Sequence, residues 1–326
     1  MLPERDSSAP LIHLRGLEKH YGHRRALAGV DLTLGGQQIV GIVGPDGAGK
    51  TTLLRALAGL LEIDATEARV LGSDLTADVT DLKARLGYVP QAFSLNRDLS
   101  VIENLRFTAR LQRLPTAEFS ARAERLLGRT GLAAFVNRPA GALSGGMKQK
   151  LAVINALLLQ PHLLLLDEPT AGVDVVARAE IWAMLSEERR RALILISTSY
   201  LDEAAACDGL VYLDGGRVVA NGTPGELRAA VPLDLYRAWG NDARAIALQA
   251  RQLPYVTAAR ASGRFVRVEV DRAQTPGTTR VLYDLTALAG TTVQFAEPAA
   301  IDMESTLLAL ARVAQPRVAP PRLAPR

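Results

Sequence analysis

The chain has 326 residues, 48% hydrophobic and 22% charged, which allows one large globular domain with an appendage. The net charge of +4 is modest, aromatics make up 5% of the chain and no basic run carries interleaved aromatics, so nucleic-acid binding is not expected. The one cysteine, Cys207, precludes an internal disulfide and fits a reducing compartment, while the longest apolar stretches, such as Leu163 to Leu166, are far too short to span a bilayer.

Residues 1–10 read as disordered and lack the apolar core of a signal peptide. Alternation at Ile12/Leu14 and Val30/Leu32/Leu34 predicts antiparallel strands. The run Ile39–Val43 reads as a strand buried on both faces. It breaks at Gly44-Pro45-Asp46-Gly47-Ala48-Gly49, and Lys50, Thr51 and Thr52 open a helix with Leu53, Leu54, Leu57 and Leu61 on one side. This is G-x-x-x-x-G-K-[ST] in its required strand–loop–helix setting. Glycines let backbone N–H groups converge on an anion at the positive end of the helix. Lys50 then reaches the β- and γ-phosphates of a nucleoside triphosphate, and the Thr51 hydroxyl can hold Mg²⁺.

Short strands follow at Arg69–Leu71 and Leu86–Val89. The chain then becomes helical: Ser100 and Glu103 form a capping box for a helix running toward Leu114 and ended by Pro115, and a second helix covers Ala117 to Leu127. Ser144-Gly145-Gly146 stands at the start of another helix, a second anion cradle. One nucleotide does not need two cradles on separate lobes, so this one is assigned to the nucleotide of a partner subunit. Continuous apolar runs at His162–Leu166 and Ala192–Ser197 read as buried parallel strands. The first ends in Asp167 and Glu168, suited to a water-mediated Mg²⁺ contact and to accepting a proton from an attacking water. A hairpin is predicted around Asp214-Gly215-Gly216. Residues 243–312 read as a small α/β appendage with a strand at Phe265–Val270, a helix at Arg280–Leu288, a strand at Thr291–Ala296 and a helix from Asp302. The proline-rich basic tail reads as flexible.

With these residues in view the chain resembles the ATPase subunit of an ABC (ATP-binding cassette) transporter. Gly44–Thr51 matches the Walker A motif, Leu163–Glu168 Walker B, and Leu143–Met147 the family signature, with Met147 where glutamine is commonest. Ala171–Asp174 resembles the D-loop, Tyr88–Gln91 the Q-loop, and Tyr21 the aromatic that stacks on adenine. The resemblance implies an α/β fold: a P-loop ATPase core with a mixed sheet, an antiparallel β subdomain and a helical subdomain, here followed by a small C-terminal α/β extension. The expected boundaries are 11–228 for the ATPase domain, with its helical subdomain at about 96–158, 229–312 for the extension and 313–326 for the tail. It also implies ATP and Mg²⁺ as cofactors, with Gln91 beside Thr51 and Asp167 at the metal. The implied partners are a membrane-spanning permease and a second cassette, in a homodimer or heteromer, and Asp174 communicates across that dimer. The location implied is cytoplasmic, on the inner face of the cell membrane. The extension and its Glu297…Leu307 ending resemble those of drug-exporter ATPases, which makes the expected cargo a hydrophobic compound or drug.

Two departures matter. Asp46 replaces the usual asparagine and adds a carboxylate beside the phosphates, to be offset by a nearby positive charge or Mg²⁺. Ser199 replaces the switch histidine, and no histidine follows Glu168. Serine cannot carry an imidazole's charge, and losing one preorganised transition-state contact costs about 2.7–4 kcal/mol. The combination resembles the first half of tandem multidrug-exporter ATPases. The alternatives are a catalytically weak regulatory cassette paired with an active one and, ranked below it, a soluble cassette acting on ribosomes.

Overall fold

Three five-residue runs, Ile39–Val43, Leu163–Asp167 and Leu193–Ser197, are buried at every position. Side chains alternate across a strand, so continuous burial means both faces are covered. The computed structural model describes residues 10–77, 79–288 and 292–314. The expected disorder of the first nine residues and the expected flexibility beyond residue 314 lie outside the described residues. The chain divides into two compact units between Pro224 and Gly225.

The first unit opens with β1 (Ile12–Tyr21) and β2 (Arg24–Leu34), an antiparallel hairpin pairing Ile12 with Leu34 and Tyr21 with Arg24. Next come β3 (Ile39–Val43) and α1 (Lys50–Leu57). With β4 (Glu67–Val70) and β5 (Ser73–Asp74) the hairpin forms a sheet of order β2-β1-β4-β5. After the one-turn α2 (Thr80–Lys83) and β6 (Leu86–Val89), the chain turns helical through α3 (Val101–Leu111), α4 (Thr116–Arg129) and α5 (Gly145–Leu157). It returns to the sheet with β7 (Leu163–Asp167), α6 (Val175–Glu188), β8 (Leu193–Ser197), α7 (Leu201–Ala206), β9 (Gly209–Asp214) and β10 (Arg217–Gly222). The second sheet has the order β10-β9-β3-β8-β7-β6, parallel except for its β10 edge. It is the expected mixed α/β core.

The capping box of α3 is formed, with the Ser100 N–H donating to the Glu103 carboxylate at 2.8 Å. The helix stops earlier than Leu114 because Arg113 adopts φ 54°, and Pro115 serves as the N-cap of α4.

The second unit opens within α8 (Pro224–Ala230). It contains β11 (Leu233–Gly240), α9 (Ala243–Ala250), β12 (Val256–Ser262), β13 (Phe265–Asp271), α10 (Thr278–Thr286), β14 (Val293–Ala299) and α11 (Met303–Ala314). The strands pair antiparallel in the order β12-β13-β11-β14, a split βαββαβ arrangement. Ile246 and Ala250 of α9 and Val281 and Leu285 of α10 close a core with Tyr236, Val266 and Val268. Four elements of this unit escaped the sequence reading: α8, β11, α9 and β12. Thr291 of the expected strand is not described, α10 begins and ends two residues earlier than expected, and α11 extends to Ala314, into the segment expected as tail.

Candidate nucleotide-binding site

Parallel register decides which distant residues meet. Ser197 lies beside Ile42 on one side and Asp167 on the other, and Val89 beside Leu166. The carboxyl ends of β3, β6, β7 and β8 therefore open at one level, where ligands bind in open α/β sheets. There a cavity of about 410 Å³ is lined by Tyr21, Asp46, Gly47, Ala48, Gly49, Lys50, Thr51, Thr52, Gln91 and Glu168 of the predicted residues, and by Arg24 and Ala26 besides.

The loop between β3 and α1 cannot carry side chains at its tightest points. A Cβ on Gly44 would sit 1.9 Å from the Leu213 carbonyl oxygen, and one on Gly49, at φ 109°, 2.6 Å from that of Ala26. Gly49 is also the N-cap of α1 and offers no side chain to the first N–H groups of the helix. Those donors are left for an anion. Lys50 is 7% exposed, and its ammonium donates to the carbonyls of Gly44 at 2.8 Å and Pro45 at 3.1 Å.

Asp167 is fully buried and joins three elements. Its Oδ1 accepts from the Thr51 hydroxyl at 3.1 Å and from the Ser197 hydroxyl at 2.8 Å, while Oδ2 has no hydrogen-bond partner. A buried carboxylate oxygen with unused lone pairs beside a threonine hydroxyl suits Mg²⁺, which binds through one or two carboxylates and completes its shell with water and phosphate oxygens. Among the described residues no three His, Cys, Asp or Glu side chains cluster as they would for a closed protein-only metal cage.

Glu168 follows in a left-handed conformation at φ 49°. Such a backbone costs about 1–3 kcal/mol and persists only where its surroundings fix it. Its N–H donates to the Ser197 hydroxyl at 2.9 Å, and its carboxylate accepts from Gln91 Nε2 at 3.0 Å and from the Ser199 hydroxyl at 3.4 Å. Ser197 was not predicted as a site residue, yet its one hydroxyl donates to the Asp167 carboxylate and accepts the backbone N–H of Glu168. The only cue in the sequence was a polar residue closing an apolar strand.

The segments after β7 and β8 are tied together by Glu203, which is buried and accepts from Thr170 at 2.6 Å and Thr198 at 2.5 Å. Arg178 stacks on the Tyr200 ring at 3.9 Å beside that carboxylate. Buried charge is tolerated when paired and hydrogen-bonded in this way. Cys207 is buried; burial, with smaller contributions from Glu203 and Asp208, pushes its thiol up to about 12, so it is no nucleophile.

Of the predicted residues, Gly44, Pro45, Asp167 and Ser199 adjoin residues of the cavity without lining it, and Ser144, Gly145, Gly146 and Asp174 do not line it either. Ser144 is the N-cap of α5 and accepts from the Met147 N–H at 3.3 Å, with Gly145 and Gly146 in the first turn. Asp174 is the N-cap of α6 and accepts from the Ala177 N–H at 2.9 Å. Tyr21 is 46% exposed at the end of β1 and does line the cavity. Among the described residues no helix is long and apolar enough to cross a membrane.

A family model described as ABC transporter matches residues 27–171. The chain is 41% identical over 273 residues to the "Probable multidrug ABC transporter ATP-binding protein YbhF" of Escherichia coli (strain K12), covering 82% of this chain and 47% of that protein, so it spans about half of that relative's length. It is 39% identical over 220 residues to the "Daunorubicin resistance ATP-binding protein DrrA3" of Streptomyces coeruleorubidus, covering 67% of this chain and 70% of that protein. The ATP-binding cassette MJ0796, solved in a dimeric post-hydrolysis state bound to ADP and Pi, aligns with a TM-score of 0.60 at 25% identity, covering 65% of this chain and 98% of that one.

Proposed function

The chain belongs to the ABC transporter family as an ATP-binding subunit, and from that premise we propose that it hydrolyses Mg-ATP to drive export of a hydrophobic compound or drug through a separate membrane-spanning permease. The convergence of Lys50, the Thr51–Asp167 pair and the Gln91–Glu168 pair at the ends of four adjacent strands supports this reading best.

Tyr21 stacks on adenine, the amides from Gly47 to Thr51 hold the phosphates, and Lys50 exchanges its two carbonyl partners for phosphate oxygens. Thr51, Asp167 and Gln91 hold Mg²⁺, which when bound supplies charge neutralisation at the β- and γ-phosphate oxygens. Glu168 takes a proton from the attacking water as its oxygen bonds to the γ-phosphorus. The bond to the β–γ bridging oxygen breaks, and ADP leaves with that electron pair. Ser144, Gly145 and Gly146 serve the nucleotide of a second cassette, identical or different, with Asp174 close to that contact. Closing and reopening of the pair moves the permease, which holds the subunit on the cytoplasmic face of the membrane.

The test is phosphate release by the purified chain with Mg-ATP, together with its size by light scattering. Release abolished by Lys50→Ala, and an ATP-dependent dimer of Glu168→Gln, are the expected results. No release and no dimer, with or without an added cassette, would end the reading. Ser199 favours a second one, a weakly hydrolysing regulatory cassette. Its neutral hydroxyl rests on Glu168 where an imidazole would bring charge to the γ-phosphate. Release that stays slow alone and rises only with an active partner cassette separates the two.

A further inference from the structure

Two adjacent arginines at the start of β2 have different partners. Arg25 pairs with Glu18. Arg24, opposite Tyr21 in the hairpin, makes no ion pair among the described residues. It lines the nucleotide cavity, and one of its five donors reaches the Gly47 carbonyl at 3.3 Å. Asp46, beside Gly47, lines the same cavity, is exposed and has no ion pair or hydrogen bond among the described residues. An unpaired cation and an unpaired carboxylate thus flank the loop that receives the phosphates. A carboxylate there repels a polyphosphate. A guanidinium there binds phosphate oxygens through two parallel N–H donors and offsets the carboxylate.

We infer that Arg24 is a phosphate-binding residue of this site, exchanging the Gly47 carbonyl for a nucleotide phosphate, and that it offsets the charge of Asp46. This rests on the nucleotide reading above and names a second cation for it, delivered by the β1–β2 hairpin instead of the loop. Lys50 and Arg24 then bring positive charge to the phosphates from two different elements, α1 and β2. The hairpin that presents Tyr21 to the base also presents Arg24 to the phosphates.

The test is equilibrium titration with ATP and with adenosine at low and high salt, using Arg24→Ala, Arg24→Gln, Arg24→Lys, Asp46→Asn and Arg24→Ala/Asp46→Asn. Removing a charge-assisted phosphate contact weakens ATP binding about tenfold. The expected pattern is that loss in Arg24→Ala and Arg24→Gln with adenosine affinity unchanged, partial recovery in Arg24→Lys, and a shallower salt dependence. Asp46→Asn should recover much of the loss. Gln keeps a neutral amide donor in place of the guanidinium, so unchanged ATP affinity in Arg24→Gln with a loss only in Arg24→Ala would reduce Arg24 to a loop support and overturn the inference. Equal loss of ATP and adenosine, or unchanged ATP affinity in both variants, overturns it too. If Arg24→Ala does not fold, Arg24→Gln and Arg24→Lys carry the same comparison. Wild-type chain that binds no ATP, or Lys50→Ala that binds it normally, sinks the nucleotide assignment itself and this inference with it. Intact, Lys50-dependent binding with indifferent Arg24 variants sinks this inference alone.

Discussion

Two glycine-bearing helix starts in the first unit, at α1 and at α5, are built in opposite ways. At α1 the N-cap is Gly49 in a left-handed conformation, without a side-chain cap, and Gly44 and Gly49 are required by backbone packed against them. At α5 the N-cap is Ser144 in extended conformation, and its own hydroxyl already takes the Met147 N–H. The two glycines there also differ from each other. A Cβ on Gly146 would meet the Ala177 Cβ at 2.8 Å and an Asp174 carboxylate oxygen at 3.2 Å, whereas one on Gly145 meets nothing within 4 Å. The first start is a receptor shaped wholly by its own chain. In the second, Gly146 answers to packing against α6, and Gly145 answers to nothing in this chain, as fits a surface kept bare for a second molecule.

The contrast is broken most severely at the chemistry served by the first start. Glu168→Gln should retain ATP binding while phosphate release falls by about two to four orders of magnitude, as for loss of a general base; unchanged release would mean that another group is the base. Next in size is Ser199→His. If Ser199 stands at the switch position, turnover should rise, by up to about a hundredfold where the contact is fully restored. A flat response across nucleotide concentrations counts against that position. The smallest effects sharpen the difference between the two glycines. Gly146→Ala overpacks the contact with α6 and should cost about 1–3 kcal/mol, read as a lower melting temperature. Gly145→Ala should melt like the wild type and lose ATP-dependent association. The reverse pattern would erase the distinction.

How much of this could be read beforehand depended on sequence distance. Leu163–Leu166 and Leu193–Ile196 announced buried parallel strands because their apolar runs are continuous, and the phosphate loop announced itself because its spacing is local. In the second unit, α9 is only eight residues long, and β12 buries one residue, Ala259, of a run rich in alanine. Neither offered a pattern to recognise. In the site, Ser197, Glu203 and Arg24 went unread because each acts through a residue brought close only by folding. Ser197 meets Asp167 thirty positions away by strand register, and Arg24 meets Gly47 across twenty-three. The positive charge expected near Asp46 has its candidate in Arg24, which no local motif marks.

The left-handed turn at Glu168 bears on laboratory evolution of this molecule. Glycine or asparagine adopts that backbone shape more readily than glutamate does. A library screened only for heat resistance would therefore be drawn toward replacements at this position that fold better and no longer turn over. Screens on this scaffold should score turnover and melting together from the first round.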